Sequence, residues 1–250
     1  MEVRLPAVAG TFYPADTLRL RGLIEGFLAV TPTRIESHPK ALIVPHAGYI
    51  YSGAIAASAY VTIHPDEVTR VVVVGPSHFV WLRGLAGPGV DAFRTPLGDV
   101  PVDGAGFAAA PEAHLREHSL EVQLPFLQTV LGSFDLVPLV VGDAHPREVA
   151  DALEHCATDP GTLIVISSDL SHYLPYEQAR FIDERTADAI QQRAGDRLGR
   201  NDACGLRGIQ GVLLYAKHHD LQVRLLDLRN SGDTQGDHAR VVGYGAFWIG

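Results

Sequence analysis

The chain has 250 residues, 46% of them hydrophobic, with a formal charge of -9 and a pI near 5.7. That is enough apolar material to bury a large core unaided, and the acidic balance excludes the extended basic surface that nucleic acid or an anionic membrane requires. Two cysteines, Cys156 and Cys204, are too few for a disulfide framework. Residues 1–10, with Glu2, Arg4 and Pro6, lack the apolar stretch of a signal peptide, and no apolar run approaches a membrane span. A soluble cytoplasmic protein with small-molecule or peptide ligands is expected.

In chain order, an apolar β-branched run predicts a buried strand over 41–45, and helical spacing follows over 53–62. A second strand is predicted over 70–75. The Gly- and Pro-rich stretch 83–106 then reads as an insertion or lid. A helix over 119–131, a strand over 136–142, a helix over 147–157 and a strand over 163–167 continue the alternation. Helices over 176–193 and 202–218 precede two final strands, 222–228 and 239–249, which no long crossover separates. The pattern predicts one α/β domain over 1–250, with a mixed, mainly parallel central sheet flanked by helices and an antiparallel part at the chain's end.

Ligands collect where the strands of such sheets end. The strand over 41–45 runs into PHAGYIYSG with His46, the strand over 70–75 into GPSHF with His78, and the strand over 163–167 into SSDLSH with Asp169 and His172. Gly48 and Gly53 read as tight-turn positions before a helix. Cys204, in Asp202-Ala203-Cys204-Gly205, reads as the start of a helix whose dipole would favour a thiolate. Imidazoles and a thiolate from separate loops suit an open site for Zn(II), Fe(II) or Cu, although no compact motif such as His-Glu-x-x-His is present. Each residue also has a plain structural reading. Asp169 either orients a histidine or caps a turn. His118 is either a group beside the pocket or part of a helix start capped by Ser119, and the capping reading is preferred. Tyr49, Tyr51 and Tyr173 either line a pocket or pack with their hydroxyls to solvent. Cys156 reads as structural, and His218 and His219 as helix C-terminal charges.

Taken together, AGTFYP, PHAGYIYSG, GPSHF, FRTPLGD, EHSLEVQLPF, PLVVG, SSDLSHY and ACG followed by GIQGVLL run in order over nearly the whole chain. In these blocks the sequence resembles the Memo family, the group of the AmmeMemoRadiSam system protein B. The resemblance implies a fold like that of the class III extradiol ring-cleavage dioxygenases. It also implies His46, His78 and Cys204 as ligands of Fe(II) or Cu, with Zn as a further candidate, and His172 as the acid-base group. Cys204 stands where the dioxygenases use a carboxylate, and a softer, oxidisable ligand there puts ring cleavage in doubt. Three functions stay open: a metal-dependent oxidoreductase, a non-enzymatic ligand or peptide binder, and an accessory component working with radical-SAM and AMMECR1-like proteins. No Cys-x3-Cys-x2-Cys motif makes this chain the radical enzyme itself.

Overall fold

A computed structural model describes residues 2–32, 35 and 37–250, so Met1 of the amino-terminal stretch lies outside the described residues. In chain order the elements are β1 (Val3–Arg4), α1 (Thr17–Val30), β2 (Ala41–Val44), α2 (Tyr49–Tyr60), β3 (Arg70–Pro76), β4 (Leu85–Ala86), β5 (Ala92–Thr95) and β6 (Gly98–Pro101). They continue with α3 (Pro111–Leu115), α4 (Leu124–Leu131), β7 (Asp135–Val141), α5 (Pro146–Cys156), β8 (Thr162–Ser167), β9 (His172–Leu174), α6 (Tyr176–Gln191), α7 (Leu206–His218), β10 (Val223–Asn230) and β11 (Val241–Ile249).

The main sheet runs β10-β11-β2-β8-β3-β7-β4. Its middle, β2-β8-β3-β7, is parallel, while β10, β11 and β4 join antiparallel, as the short final connection requires. Alternate residues of one strand serve opposite faces. Leu42, Val44, Val71, Val73, Leu163 and Val165 join the core with α1, α2 and α4, whereas Ala41, Ile43, Val72, Val74, Ile164 and Ile166 join the core with α5, α6 and α7. Burial on both faces explains why these strands read as unbroken apolar runs. Pro138 has no N–H to offer a ladder, and it sits where the outer side of β7 has no strand partner, since β4 reaches only Val140 and Val141. Among the described residues no helix is long and apolar enough to cross a membrane.

Several expectations are corrected. α2 begins at Tyr49, and Gly53 lies inside it rather than in a turn: a Cβ there would come within 2.5 Å of Phe27, so the glycine permits α1 and α2 to approach closely. The stretch 83–106 is no loop. It carries β4, β5 and β6, and β5 with β6 joins β1 in a separate three-stranded sheet. The helix expected from 119 begins only at Leu124, after a 3-10 turn at Glu121–Gln123, and Ser119 caps neither. α7 begins at Leu206 after Gly205, so Asp202 to Cys204 precede it.

The amino-terminal segment is tied down by one buried carboxylate. Glu121 accepts from Arg4 Nη1 at 2.7 Å, the Ala7 and Val8 backbone N–H groups at 2.8 and 3.0 Å, and the Tyr13 hydroxyl at 2.6 Å. Arg4 also donates to the carbonyls of His114 and Glu117 at 2.7 and 2.6 Å. One charged donor, two backbone N–H groups and a hydroxyl together satisfy its oxygens, which is how a fully buried carboxylate is tolerated.

Candidate metal centre

Because β8 lies between β2 and β3, the residues that follow these three strands share one rim of the sheet. β2 and β3 are separated by roughly 10 Å, two strand spacings. Their side chains nevertheless converge above β8: the rings of His46 and His78 are 5.3 Å apart, edge to face. His118 completes the group from the turn before α4, stacked on His78 at 4.8 Å and edge-on to His46 at 5.5 Å. The three residues offer ligand atoms that all lie within 4.8 Å of one another. Around an ion bound at about 2.0–2.1 Å, tetrahedral nitrogens stand roughly 3.4 Å apart, so closure asks for shifts on the order of 1 Å.

Hydrogen bonding fixes which nitrogens are available. The Ser167 hydroxyl donates to the Ser119 carbonyl at 2.6 Å and accepts from Gln123 Nε2 at 2.7 Å, so its contact with His46 Nδ1 at 2.9 Å is an acceptance from Nδ1–H. The His46 Nε2 lone pair therefore faces Cys204 Sγ, 3.3 Å away. His78 Nδ1–H meets Glu117 Oε1 at 2.9 Å, and its backbone N–H donates to Glu117 Oε2 at 2.6 Å, which leaves Nε2 on the far side of the ring as the ligand atom. Glu117 Oε1 also accepts from the Ser119 backbone N–H at 2.9 Å and lies 3.7 Å from His118 Nδ1.

The protonation states suit a cation. Burial holds the His46 pKa well below the usual imidazole range, helped by His78 and His118, and burial likewise lowers His118 against the opposing pull of Glu117. Burial would raise Glu117, but its bonds from His78 outweigh this and carry it down to about 2. Two imidazoles held towards the neutral form, His46 and His118, thus stand beside a full negative charge. Cys204 does not meet the expectation of a ready thiolate. Burial, and then Asp169, push its thiol up to about 12, overriding any helix dipole. It is an S–H aimed at His46 Nε2, with the Asp169 carbonyl a longer alternative at 3.6 Å, while the Asp169 backbone N–H donates to Sγ at 3.2 Å.

Asp169 sits elsewhere than against a histidine ring. Its Oδ1 accepts from the His46 backbone N–H at 2.7 Å, so it fixes the turn that launches His46, and burial pushes its carboxyl up to about 7. His172, half-buried at the start of β9, gives Nδ1–H to the Leu170 carbonyl at 2.8 Å, and burial lowers its pKa. Its Nε2 therefore keeps a lone pair, as an acid-base group requires. Tyr49 lines no pocket, being buried with its hydroxyl on the Val122 carbonyl, whereas Tyr173 is 62% exposed. From the sequence, His118 is a candidate group beside the pocket set aside for the capping reading, and Glu117 reads only as part of that helix start, because both lie on an irregular turn where no periodicity marks them.

A second group, His38, His64 and Glu67, also brings three ligand atoms within 4.8 Å, at the opposite end of β2 and β3. There His64 Nδ1 is bonded to Glu67 Oε1 at 2.9 Å, and His38 Nδ1 accepts the His64 backbone N–H at 3.2 Å. Both His-rich groups could hold a metal ion; in the first, His46 and His78 are each braced at Nδ1 by an acceptor outside the group.

Comparison with known proteins gives matches over nearly the whole chain. A family model described as Memo-like protein matches residues 4–248. A MEMO1 family protein of Aquifex aeolicus is 39% identical, with 98% of each chain covered. MEMO1 family proteins of Sulfolobus acidocaldarius and Archaeoglobus fulgidus are each 36% identical, with 97% of each chain covered.

Proposed function

From the premise that the chain belongs to the Memo family, we propose that it is a metal-dependent oxidoreductase whose pocket holds Fe or Cu through His46, His78 and Cys204. The observation that carries this reading is the pair of Nδ1 anchors, Ser167 for His46 and Glu117 for His78, which aim two Nε2 lone pairs into one space beside a thiol. A bound redox metal would supply one-electron and dioxygen chemistry there. The chain's own residues do the rest. Cys204 gives up its proton on ligation, since a thiol beside a cation is deprotonated despite burial. His118 stacks against His78 and closes the far wall, where it can serve as a further nitrogen donor. His172 Nε2 takes or returns a substrate proton, while Asp169 keeps the His46 turn in place.

The reading is tested by metal analysis of the purified protein beside His78→Ala and Cys204→Ser, together with oxygen uptake. About one Fe or Cu per chain in the wild type and much less in both variants is expected. Equal metal in all three would refute it, and retained metal without oxygen uptake on any reductant or phenol tried would leave a metal-binding protein in place of an oxidoreductase.

A further inference from the structure

Next to the histidine group, on the face covered by α7, lies a cavity of about 510 Å³. Its lining includes Ser167 and Cys204, the two residues hydrogen-bonded to the His46 ring, but none of the three histidines. The lining also includes Val80, Trp81 and Leu82, from the turn after His78, and Arg200 and Arg207. Volume and mixed lining match a site for a small organic molecule.

Two features of the lining indicate what that molecule carries. Among the described residues neither Arg200 nor Arg207 has a carboxylate within ion-pair distance, and Arg207 bonds only a neutral partner, Gln210 Oε1 at 3.1 Å. Arg4, Arg70, Arg94 and Arg229, by contrast, are each paired with an acid. Both arginines thus border the cavity with no acid paired to them. Asp143 is the single acid in the lining, so the cavity keeps a net positive charge. The second feature is Trp81, which is 79% exposed although it borders an apolar wall. An indole left in solvent offers a flat face for a ring to stack on.

We infer that this cavity binds a ring-bearing organic anion, with its carboxylate or phosphate on Arg200 and Arg207, its ring against Trp81, and its remaining end at Cys204. Guanidinium groups match either anion through paired N–H donors, and the apolar wall removes the ring from water. That the bound molecule is the substrate of the metal pocket rests on the function proposed above; the binding itself does not.

Calorimetric titration of the full chain with benzoate, phenyl phosphate, inorganic phosphate and neutral benzamide tests the inference, with metal content measured on the same samples. Saturable binding of benzoate or phenyl phosphate is expected, and the tighter of the two names the head group. Benzamide should bind at least about tenfold more weakly, for want of the charge that the arginines recognise. Inorganic phosphate should fall below phenyl phosphate, for want of the ring. An Arg200→Ala/Arg207→Ala double variant should lose at least about tenfold in anion affinity while keeping its metal and its unfolding midpoint, whereas Arg185→Ala, on α6, should change nothing. His78→Ala should lose metal and keep the anion. No saturable binding, equal affinity for benzamide and benzoate, or undiminished binding by the double arginine variant would overturn the inference. A wild type that binds anion and holds no metal would overturn the metal reading alone.

Discussion

The two histidine groups sit at opposite ends of the same parallel strands and differ in what holds them. At the carboxyl end, His46 and His78 each spend Nδ1 on a buried acceptor, so their Nε2 atoms are aimed before any ion arrives. At the amino end, the bonds lie within the group: His64 is tied to Glu67, whose side chain is 58% exposed, and His38 accepts from the backbone. There the His64–Glu67 bond joins two of the three candidate ligands to each other instead of bracing either from outside the group. The contrast teaches that three donors in reach make a group, while a second tier of acceptors makes a site.

The largest effect should come from removing a ligand. His78→Ala should weaken metal binding by more than about a hundredfold, and His64→Ala should leave the tightest site unchanged, as read by competition with a chromophoric chelator. Equal losses in the two variants would break the comparison. Removing the acceptor instead of the ligand sharpens it. Glu117→Gln keeps the shape but weakens the bond to His78 Nδ1–H, and metal affinity should fall about 10–100-fold, whereas Glu67→Gln should not alter the tight site.

Next in size is the folding cost of the other anchor. Ser167→Ala strands the His46 Nδ1–H, one of the two Gln123 Nε2 hydrogens and the Ser119 carbonyl in the core, which should cost about 2–3 kcal/mol in urea unfolding. A neutral result would mean that His46 is held by packing alone. The smallest expected effect is a pH dependence. Asp183 accepts from the Ser171 backbone N–H and hydroxyl beneath the His172 strand, and burial raises it to about 6. Since the folded value lies above the unfolded one, its contribution is fully present below about pH 4 and is lost as pH rises through 6. Asp183→Asn does not titrate, so from pH 4 to 8 it should gain on the order of 2 kcal/mol relative to wild type in paired unfolding curves. A constant gap would show that Asp183 is ionised throughout.

The central strands were legible because burial on both faces writes an uninterrupted β-branched run, as in Val71 to Val74. α1 was not legible: only Leu20 and Ile24 are fully buried, two glycines interrupt it, and Leu18 is 80% exposed. The small sheet escaped for another reason, since strands of two to four residues leave no period to read. Among the candidate residues, those directly after strands could be named from the strands themselves, which is how His46, His78 and Asp169 were proposed. Glu117 and His118 reach the same space from a turn whose path is set by tertiary bonds to Arg4 and Ser167, and no local pattern encodes those. Ser119 resembles a helix cap in sequence but is committed to the Pro76 carbonyl and Glu117 instead.

The strap at the amino terminus places the pocket under remote control. Arg4 grips the carbonyl of the residue that braces His78, and Glu121, three residues past His118, collects Arg4, Ala7, Val8 and Tyr13. Clipping or displacing the first eight residues would leave that carboxylate stranded beneath the turn it supports, with its counter-charge gone. A protease, or a bulky fusion partner that pries the strap loose, would thereby slacken the histidine cluster without touching any of its donor atoms.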